Sequence, residues 1–344
     1  MTTTKGSGVV LMADTLRPRH DRFATTLVWE DGMKKRKLGS RGPEISVIGF
    51  GAWEAGGMAW GPNPPDEQTI EAMETALDSG VDWIDTAEVY GGGRSEELVA
   101  QAIKGRDDVA VFTKVAPRPA GSGFDKGGIR RGIERSLERL GRDSVELYQL
   151  HWPDRSIAVE ETWEEMAAVA EEGLARCIGV SNFDRELIER CEKVRHVDSL
   201  QPHFSMLHQD GRRDLLPFCG ENGTGVIAYA PLGYGLLTGA ITRDTVFGDD
   251  DWRGGGHGMR SYDTMFAPGV LERNLHIVDD LRTVADRLGV TLAQLALAWV
   301  VHQEGVTGAI AGSRSPDHVR ENAGGGSVDL GDDDLAAIES ILSR

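Results

Sequence analysis

Four residues with proton-handling side chains stand at or just after the ends of predicted strands. Asp85 ends one apolar run and Tyr90 follows in its loop, while Lys114 and His151 end the next two runs. A lysine ammonium beside a phenol favours the phenolate and lowers the phenol's pKa from its usual value of about 10. The set therefore suits a reaction in which Tyr90 protonates a carbonyl oxygen while another group attacks the carbonyl carbon.

The position of Asp85 requires a partner, because a buried carboxylate without one costs several kcal/mol. Lys114 lies on the neighbouring predicted strand and is the expected partner. His151 is expected to hydrogen-bond the carbonyl oxygen at the same place. Each residue alone also has an ordinary interpretation, as a turn former, a surface charge or a ring that contacts backbone. Their joint occurrence at equivalent strand ends favours a catalytic site.

Short β-branched runs alternate with helical patterns along the chain, and eight such runs are found. Several are nearly continuous in apolar residues, which is typical of strands buried on both faces. Eight β-then-α units predict an α/β fold with a closed parallel (β/α)8 TIM barrel, and a doubly wound sheet is the alternative. The predicted strands cover residues 45–51, 81–87, 109–115, 145–152, 176–182, 199–207, 225–232 and 307–313.

Length and composition limit the class of protein. The 344 residues suffice for one large α/β domain, which we place at residues 33–344 behind a poorly ordered leader at 1–32. The net charge of −18 argues against nucleic acid and anionic membranes as partners. Three widely spaced cysteines and the lack of a long apolar run predict a cytoplasmic protein without a membrane span.

Five segments resemble the signature segments of the aldo-keto reductases, in the order typical of that family. They read "IDTAEVYG", "FTK", "LHWPD", "GVSNF" and "YAPLGYGLLTG", and the resemblance runs from about Met33 to the end. It implies a single-domain (β/α)8 barrel, to which the residue pattern adds an extended loop after strand seven and extra C-terminal helices. It also implies hydride transfer between a nicotinamide and a carbonyl. Tyr90 would be the proton donor, tuned by Asp85 and Lys114, and His151 would orient the substrate.

The same resemblance implies where the cofactor binds. Ser181, Asn182 and Gln201 would hold the nicotinamide carboxamide, and Tyr229 would stack on the ring. Arg314 suits a 2′-phosphate because a guanidinium can bind it through two hydrogen bonds, which favours NADPH over NADH. The full expected cofactor set is Gly51, Ala52, Trp53, Asp85, Ser181, Asn182, Gln201, Tyr229, Ala230, Pro231, Leu232, Gly233, Leu236, Gly312, Ser313, Arg314, His318, Glu321 and Asn322.

The substrate is expected to be a small-molecule carbonyl compound. Trp53 and Trp152, with Tyr90 and His151, would line a pocket for a compact apolar or aromatic carbonyl, and small aldoses are the second class. The Gly- and Asp-rich insertion at 238–268 would close over the cofactor. No metal site is expected, and the chain is predicted to be a monomer or a weak homo-oligomer.

Three other activities fit parts of the sequence. The family's fold also serves as a nicotinamide-binding regulatory subunit of membrane channels. The same site could work in the oxidising direction on a sugar or alcohol. Lys114 could form a Schiff base in a lyase or aldolase, although that chemistry needs a neutral lysine.

Overall fold

A computed structural model describes residues 32–117, 124–125, 127–254 and 263–344 of the chain. Residues 1–31 of the leader predicted at 1–32 therefore lie outside the described residues. The described chain starts with an antiparallel pair, β1 (Lys35–Lys37) and β2 (Glu44–Ser46). Leu38 and Ile45 from this hairpin are buried against the inward-facing side chains of the barrel strands, so the hairpin closes one end of the barrel.

Eight parallel strands form a closed barrel in the order β10-β3-β4-β5-β6-β7-β8-β9, as the sequence predicts. The predicted first strand at 45–51 is divided in the structure. Ser46 ends the hairpin, and the N–H of Val47 donates to Lys34 O rather than to a barrel neighbour. The strands are β3 (Ile48–Gly51), β4 (Trp83–Asp85), β5 (Ala110–Val115), β6 (Val145–Leu150), β7 (Ala175–Ser181), β8 (Ser199–Gln201), β9 (Gly225–Tyr229) and β10 (Val306–Ala311).

Helices surround the barrel and bury their apolar stripes against the outer face of the strands. They are α1 (Asp66–Asp78), α2 (Arg94–Ala102), α3 (Gly128–Leu140), α4 (Val159–Glu171), α5 (Arg185–Glu192), α6 (Leu215–Asn222), α7 (Val270–Leu288), α8 (Leu292–His302), α9 (Pro316–Gly324) and α10 (Asp332–Leu342). Among the described residues no single one of these helices could cross a membrane. Only α7 and α8 together meet the length and hydropathy criteria, with a bend of 90° between them.

Period-two alternation along the strands places the reactive side chains above an apolar floor. Trp83, Phe112 and Leu147 belong to the buried cluster inside the barrel. Two residues further along the same strands come Asp85, Lys114 and Gln149, which face the same side because side chains alternate in a strand. The strand register brings Lys114 opposite Gln149. The fold therefore stacks a polar layer on an apolar one at the C-terminal ends of the strands.

The floor leaves no room for an added methyl group at Gly49 on β3. A Cβ at this position would lie 2.2 Å from the indole of Trp83, and that ring is held by its N–H donating to Ser46 O at 2.8 Å. We expect Gly49→Ala to lower the free energy of unfolding by roughly 2–3 kcal/mol, measured by urea denaturation.

Gly220→Ala is the matched control for this substitution. Gly220 lies in α6, and the nearest atom to an added Cβ is Gly305 Cα at 3.6 Å. Alanine is preferred to glycine in a helix, so this variant should be as stable as the parent or more stable by up to about 1 kcal/mol. Equal stability of the two variants would contradict the account of the barrel floor.

Candidate active site

A cavity of about 760 Å³ opens at the C-terminal ends of the barrel strands. This is the edge where parallel barrels place their reactive side chains. Most residues expected from the sequence line it: Gly51, Trp53, Asp85, Tyr90, His151, Trp152, Ser181, Asn182, Gln201, Tyr229, Ala230, Pro231, Leu232, Gly312, Ser313, Arg314, His318, Glu321 and Asn322.

Four expected residues lie behind the cavity wall. Lys114 is fully buried and reaches the cavity through its contact with Tyr90. The backbone of Ala52 is engaged by Asp85 O and by the hydroxyl of Ser95. Gly233 is buried, as is Leu236, which packs in an aromatic cluster above the barrel.

The Lys114 ammonium joins the carboxylate of Asp85 to the phenol of Tyr90. Its Nζ forms an ion pair with Asp85 Oδ1, donates to Thr86 O at 2.9 Å and lies 3.5 Å from Tyr90 Oη. Burial lowers the pKa of Lys114, and the Asp85 carboxylate opposes this by favouring the ammonium. The carboxylate that ends β4 thus has the partner that its burial requires.

The second oxygen of Asp85 is held by two glutamines. Gln201 donates from Nε2 to Asp85 Oδ2 at 2.8 Å, and Gln149 Nε2 lies 3.4 Å from the same oxygen. Gln201 Nε2 also lies 3.3 Å from Gln149 Oε1. Gln149 is fully buried and was not predicted from the sequence. The sequence does contain a sign of its role. Gln149 is a polar residue in a largely apolar strand, and it stands two positions before His151, so both side chains lie on the same face.

His151 is a buried neutral imidazole beside the phenol. Its ring meets that of Tyr90 edge-on at 5.6 Å between centroids and stacks on Trp152 at 3.8 Å. Burial lowers its pKa well below 6.5, and the nearby Lys114 charge lowers it further. Among the described residues its Nδ1 has no hydrogen-bond partner. A neutral ring can donate one hydrogen bond into the cavity, as polarising a carbonyl oxygen requires.

A second set of hydrogen-bonded side chains in the cavity wall is joined to Gln201. Asn182 donates from Nδ2 to His151 O and to Ser181 Oγ, both at 3.1 Å. Its Oδ1 accepts from the Tyr229 hydroxyl at 2.9 Å, and Ser181 Oγ donates to Gln201 O at 2.9 Å. The side chains expected to hold a carboxamide and a flat ring are therefore fixed relative to Asp85.

Backbone strain is concentrated around the cavity. Four non-glycine residues in the described part of the chain have positive φ: Ala59, Asn182, Ala230 and Tyr234. All four line the cavity. Such conformations cost about 1–3 kcal/mol each and persist where the surrounding structure determines them, most often at functional sites.

Two histidines support Tyr229 from behind. The His203 ring stacks on Tyr229 at 5.1 Å and on His208 at 4.0 Å, with interplanar angles of 15° and 11°. Burial lowers the pKa of His203 to about 3, helped by the charge of His208, and burial also lowers the pKa of His208. The stack therefore stays neutral near pH 7 and fixes the plane of the tyrosine ring.

An aromatic cover closes the cavity above Tyr90. Trp53 meets Trp60 edge-on at 5.0 Å, and Tyr234 meets Trp252 edge-on at 4.9 Å. Trp252 is fully buried and comes from the insertion predicted as a lid. Trp60 and Trp252 were not predicted because neither stands at a strand end.

The described part of the insertion is attached to the loop after β3. Trp60 and Asp251 form an antiparallel bridge, Trp252 N–H donates to Ala59 O at 3.0 Å, and Gly61 N–H donates to Asp250 O at 3.1 Å. Residues 255–262 of the predicted lid lie outside the described residues. Thr238, Ala240, Ile241 and Arg253 of the insertion line the cavity.

Comparison with known proteins places the chain in one family. Residues 47–343 match the aldo/keto reductase family. The chain is 33% identical to the NADH-specific methylglyoxal reductase of Escherichia coli over 329 residues, which cover 90% of this chain and 98% of that protein.

Two solved structures share the architecture. The glycerol dehydrogenase from Gluconobacter oxydans has a TM-score of 0.79 and 30% identity, covering 90% of this chain and 95% of that one. An aldo-keto reductase from Klebsiella pneumoniae, solved with NADPH, has a TM-score of 0.69 and 31% identity, covering 90% and 94%. The Escherichia coli relative is thus named as specific for NADH, and the Klebsiella pneumoniae relative was solved in complex with NADPH.

The neutral stack behind Tyr229 predicts a pH dependence of stability. His203 has a lowered pKa in the folded state, so the unfolded chain binds more protons between pH 6.5 and about 3. The contribution of this group to the free energy of unfolding is fully present above pH 6.5 and is lost as the pH falls, by roughly 2 kcal/mol at pH 5.

In the His203→Asn variant this part of the loss should disappear when unfolding free energies are measured from pH 7.5 to 5. The exposed His276→Asn variant should keep the parent's slope; parallel slopes for all three proteins would refute the assignment.

Proposed function

We propose that this chain, which belongs to the aldo/keto reductase family, reduces an aldehyde or ketone to an alcohol with a nicotinamide dinucleotide, NADPH in preference to NADH. One observation carries the proposal. The Lys114 ammonium lies 3.5 Å from the Tyr90 hydroxyl, and Tyr90 and His151 line the same cavity. A proton donor, the group that tunes it and a neutral hydrogen-bond donor thus meet at one position.

The roles follow from the charges. Tyr90 would hand its proton to the carbonyl oxygen, and the adjacent ammonium would stabilise the phenolate that remains. Asp85 acts through Lys114, because its carboxylate holds the ammonium in place in a buried site. His151 would donate a hydrogen bond to the same oxygen and so orient the substrate. Burial lowers the pKa of Lys114, but the Asp85 carboxylate favours its charged form and so argues against a Schiff-base role.

The residues of the cavity fit a nicotinamide dinucleotide. Ser181, Asn182 and Gln201 offer amide and hydroxyl groups that suit the carboxamide, and the fixed ring of Tyr229 suits stacking on the nicotinamide. When bound, the cofactor supplies the hydride. Arg314 also lines the cavity and precedes α9, whose first residue is Pro316. A helix N-terminus with an adjacent arginine suits a phosphate.

The aromatic cover supports a compact apolar or aromatic carbonyl as substrate. Trp53, Trp60, Trp152 and Tyr234 all line the cavity. Such rings bury apolar area and exclude water from the site. Small aldoses also stack on tryptophan and form the second substrate class.

The oxidising direction is the second candidate function. It is favoured by the likeness to the Gluconobacter oxydans glycerol dehydrogenase. Tyr90 would then act as the base that receives the alcohol proton. The ratio of kcat/KM for carbonyl reduction to that for oxidation of the matching alcohol, measured at one pH, decides between them.

Tyr90→Phe tests the proton donor directly. The variant removes one hydroxyl and should lower kcat for carbonyl reduction by about 10²–10⁴-fold, the usual contribution of general acid catalysis. Dinucleotide binding, followed by quenching of tryptophan fluorescence, should change little.

Tyr148→Phe is the matched control. The Tyr148 hydroxyl donates to Ile129 O at 3.2 Å on the outer side of β6, away from the cavity. This variant should keep the parent's kcat. Full activity of Tyr90→Phe on every carbonyl tested would remove the assigned role.

A further inference from the structure

The guanidinium expected to bind a 2′-phosphate is already engaged by the protein. Arg314 Nε lies 3.3 Å from the Glu54 carboxylate. Nη2 donates to Trp60 O at 2.7 Å, and Nη1 donates to Pro62 O at 3.1 Å and to Asn63 Oδ1 at 3.2 Å. All three nitrogens of the guanidinium thus have partners in the loop that follows β3.

The barrel closure explains why these distant segments meet. Ala311 on β10 pairs with Phe50 on β3, so the chain segments that leave these two strands lie side by side. Glu54 stands three residues after β3 ends, and Arg314 three residues after β10 ends. Both side chains line the cavity, so the ion pair forms part of the wall that a bound dinucleotide would contact.

The ion pair is partly shielded from water, which strengthens the electrostatic interactions of its two charges. The Glu54 side chain is 24% exposed and that of Arg314 is 19% exposed. Burial raises the pKa of Glu54, and the charges of Arg314, Arg253 and His318 oppose this by favouring the carboxylate. Charges in such a place are screened less than charges on an open surface. A carboxylate here therefore acts on any anion that approaches Arg314.

We propose that Glu54 is a cofactor-selectivity residue that reduces the preference for NADPH over NADH below what Arg314 alone would give. It holds Arg314 in the ion pair, so that a 2′-phosphate has to compete for the guanidinium, and it repels the phosphate as a like charge. The 2′-hydroxyl of NADH is neutral and can donate a hydrogen bond to a carboxylate. This inference rests on the proposed function, since it concerns the cofactor of the same site.

The test is a fluorescence titration of the parent and Glu54→Gln with NADPH and with NADH. Glutamine keeps the shape of the side chain and removes its charge. The ratio of the Kd for NADH to the Kd for NADPH should rise about tenfold in the variant. The ratio of the Kd for 5′-AMP to the Kd for 2′,5′-ADP should rise in the same way, because only 2′,5′-ADP carries the 2′-phosphate. An unchanged ratio, or a shift toward NADH, would overturn the inference.

Two controls separate charge from structure. Glu54→Asp keeps a negative charge near the guanidinium and should leave the ratio closer to that of the parent than Glu54→Gln does, whereas general damage to the loop would weaken both dinucleotides together. Adding Arg314→Gln to Glu54→Gln should remove most of the gain, because the carboxylate acts largely through that guanidinium. Glu186→Gln on the exposed face of α5 removes the same charge at a distance and should change nothing.

The result also distinguishes this inference from the proposed function. If the parent binds both dinucleotides and the ratio does not respond to Glu54→Gln, the role of Glu54 is wrong and the reductase proposal stands. If the parent binds neither dinucleotide, both proposals fail.

Discussion

The site depends on one buried interaction, the ammonium of Lys114 held between the carboxylate of Asp85 and the phenol of Tyr90. Taking a lysine out of water is costly, and the cost is offset only where a counter-charge and hydrogen bonds meet it. Here Asp85 supplies the charge and the carbonyl of Thr86 accepts a further hydrogen bond at 2.9 Å. The other carboxylate oxygen is held by Gln201. The ammonium is therefore fixed at a distance from which it can act on the phenol.

The elements below and above this polar layer hold it in place and exclude water from it. Below it, apolar side chains such as Trp83 and Phe112 fill the barrel, and the β1–β2 hairpin closes that end. Above it, aromatic side chains from the loop after β3 and from the insertion cover the cavity, with Trp252 fully buried among them. Excluding water strengthens electrostatic interactions inside the site, so the cover and the floor both increase the effect of Lys114 on Tyr90.

Local sequence patterns were sufficient to predict the barrel and to bring the four central residues together, because period-two alternation and strand ends decide where those side chains point. They do not reveal contacts that form only when the barrel closes. The engagement of Arg314 by Glu54 arises only when β10 pairs with β3, and residue type alone suggested a guanidinium available to a phosphate. The division of the first predicted strand has a similar cause, since Val47 bonds to Lys34 in the N-terminal hairpin.

The most direct measurement is the pKa of the Tyr90 phenol, followed by NMR of protein labelled with ¹³C at the tyrosine ζ carbons. The chain has five tyrosines, and the Tyr90 resonance is identified by its loss in Tyr90→Phe. Tyr148 provides a reference at the other extreme, because burial raises its pKa well above 10. The account predicts that Tyr90 titrates below the usual value of about 10 and that Lys114→Met moves it upward. A Tyr90 phenol that titrates at 10 or above in the parent, and does not respond to Lys114→Met, would contradict it.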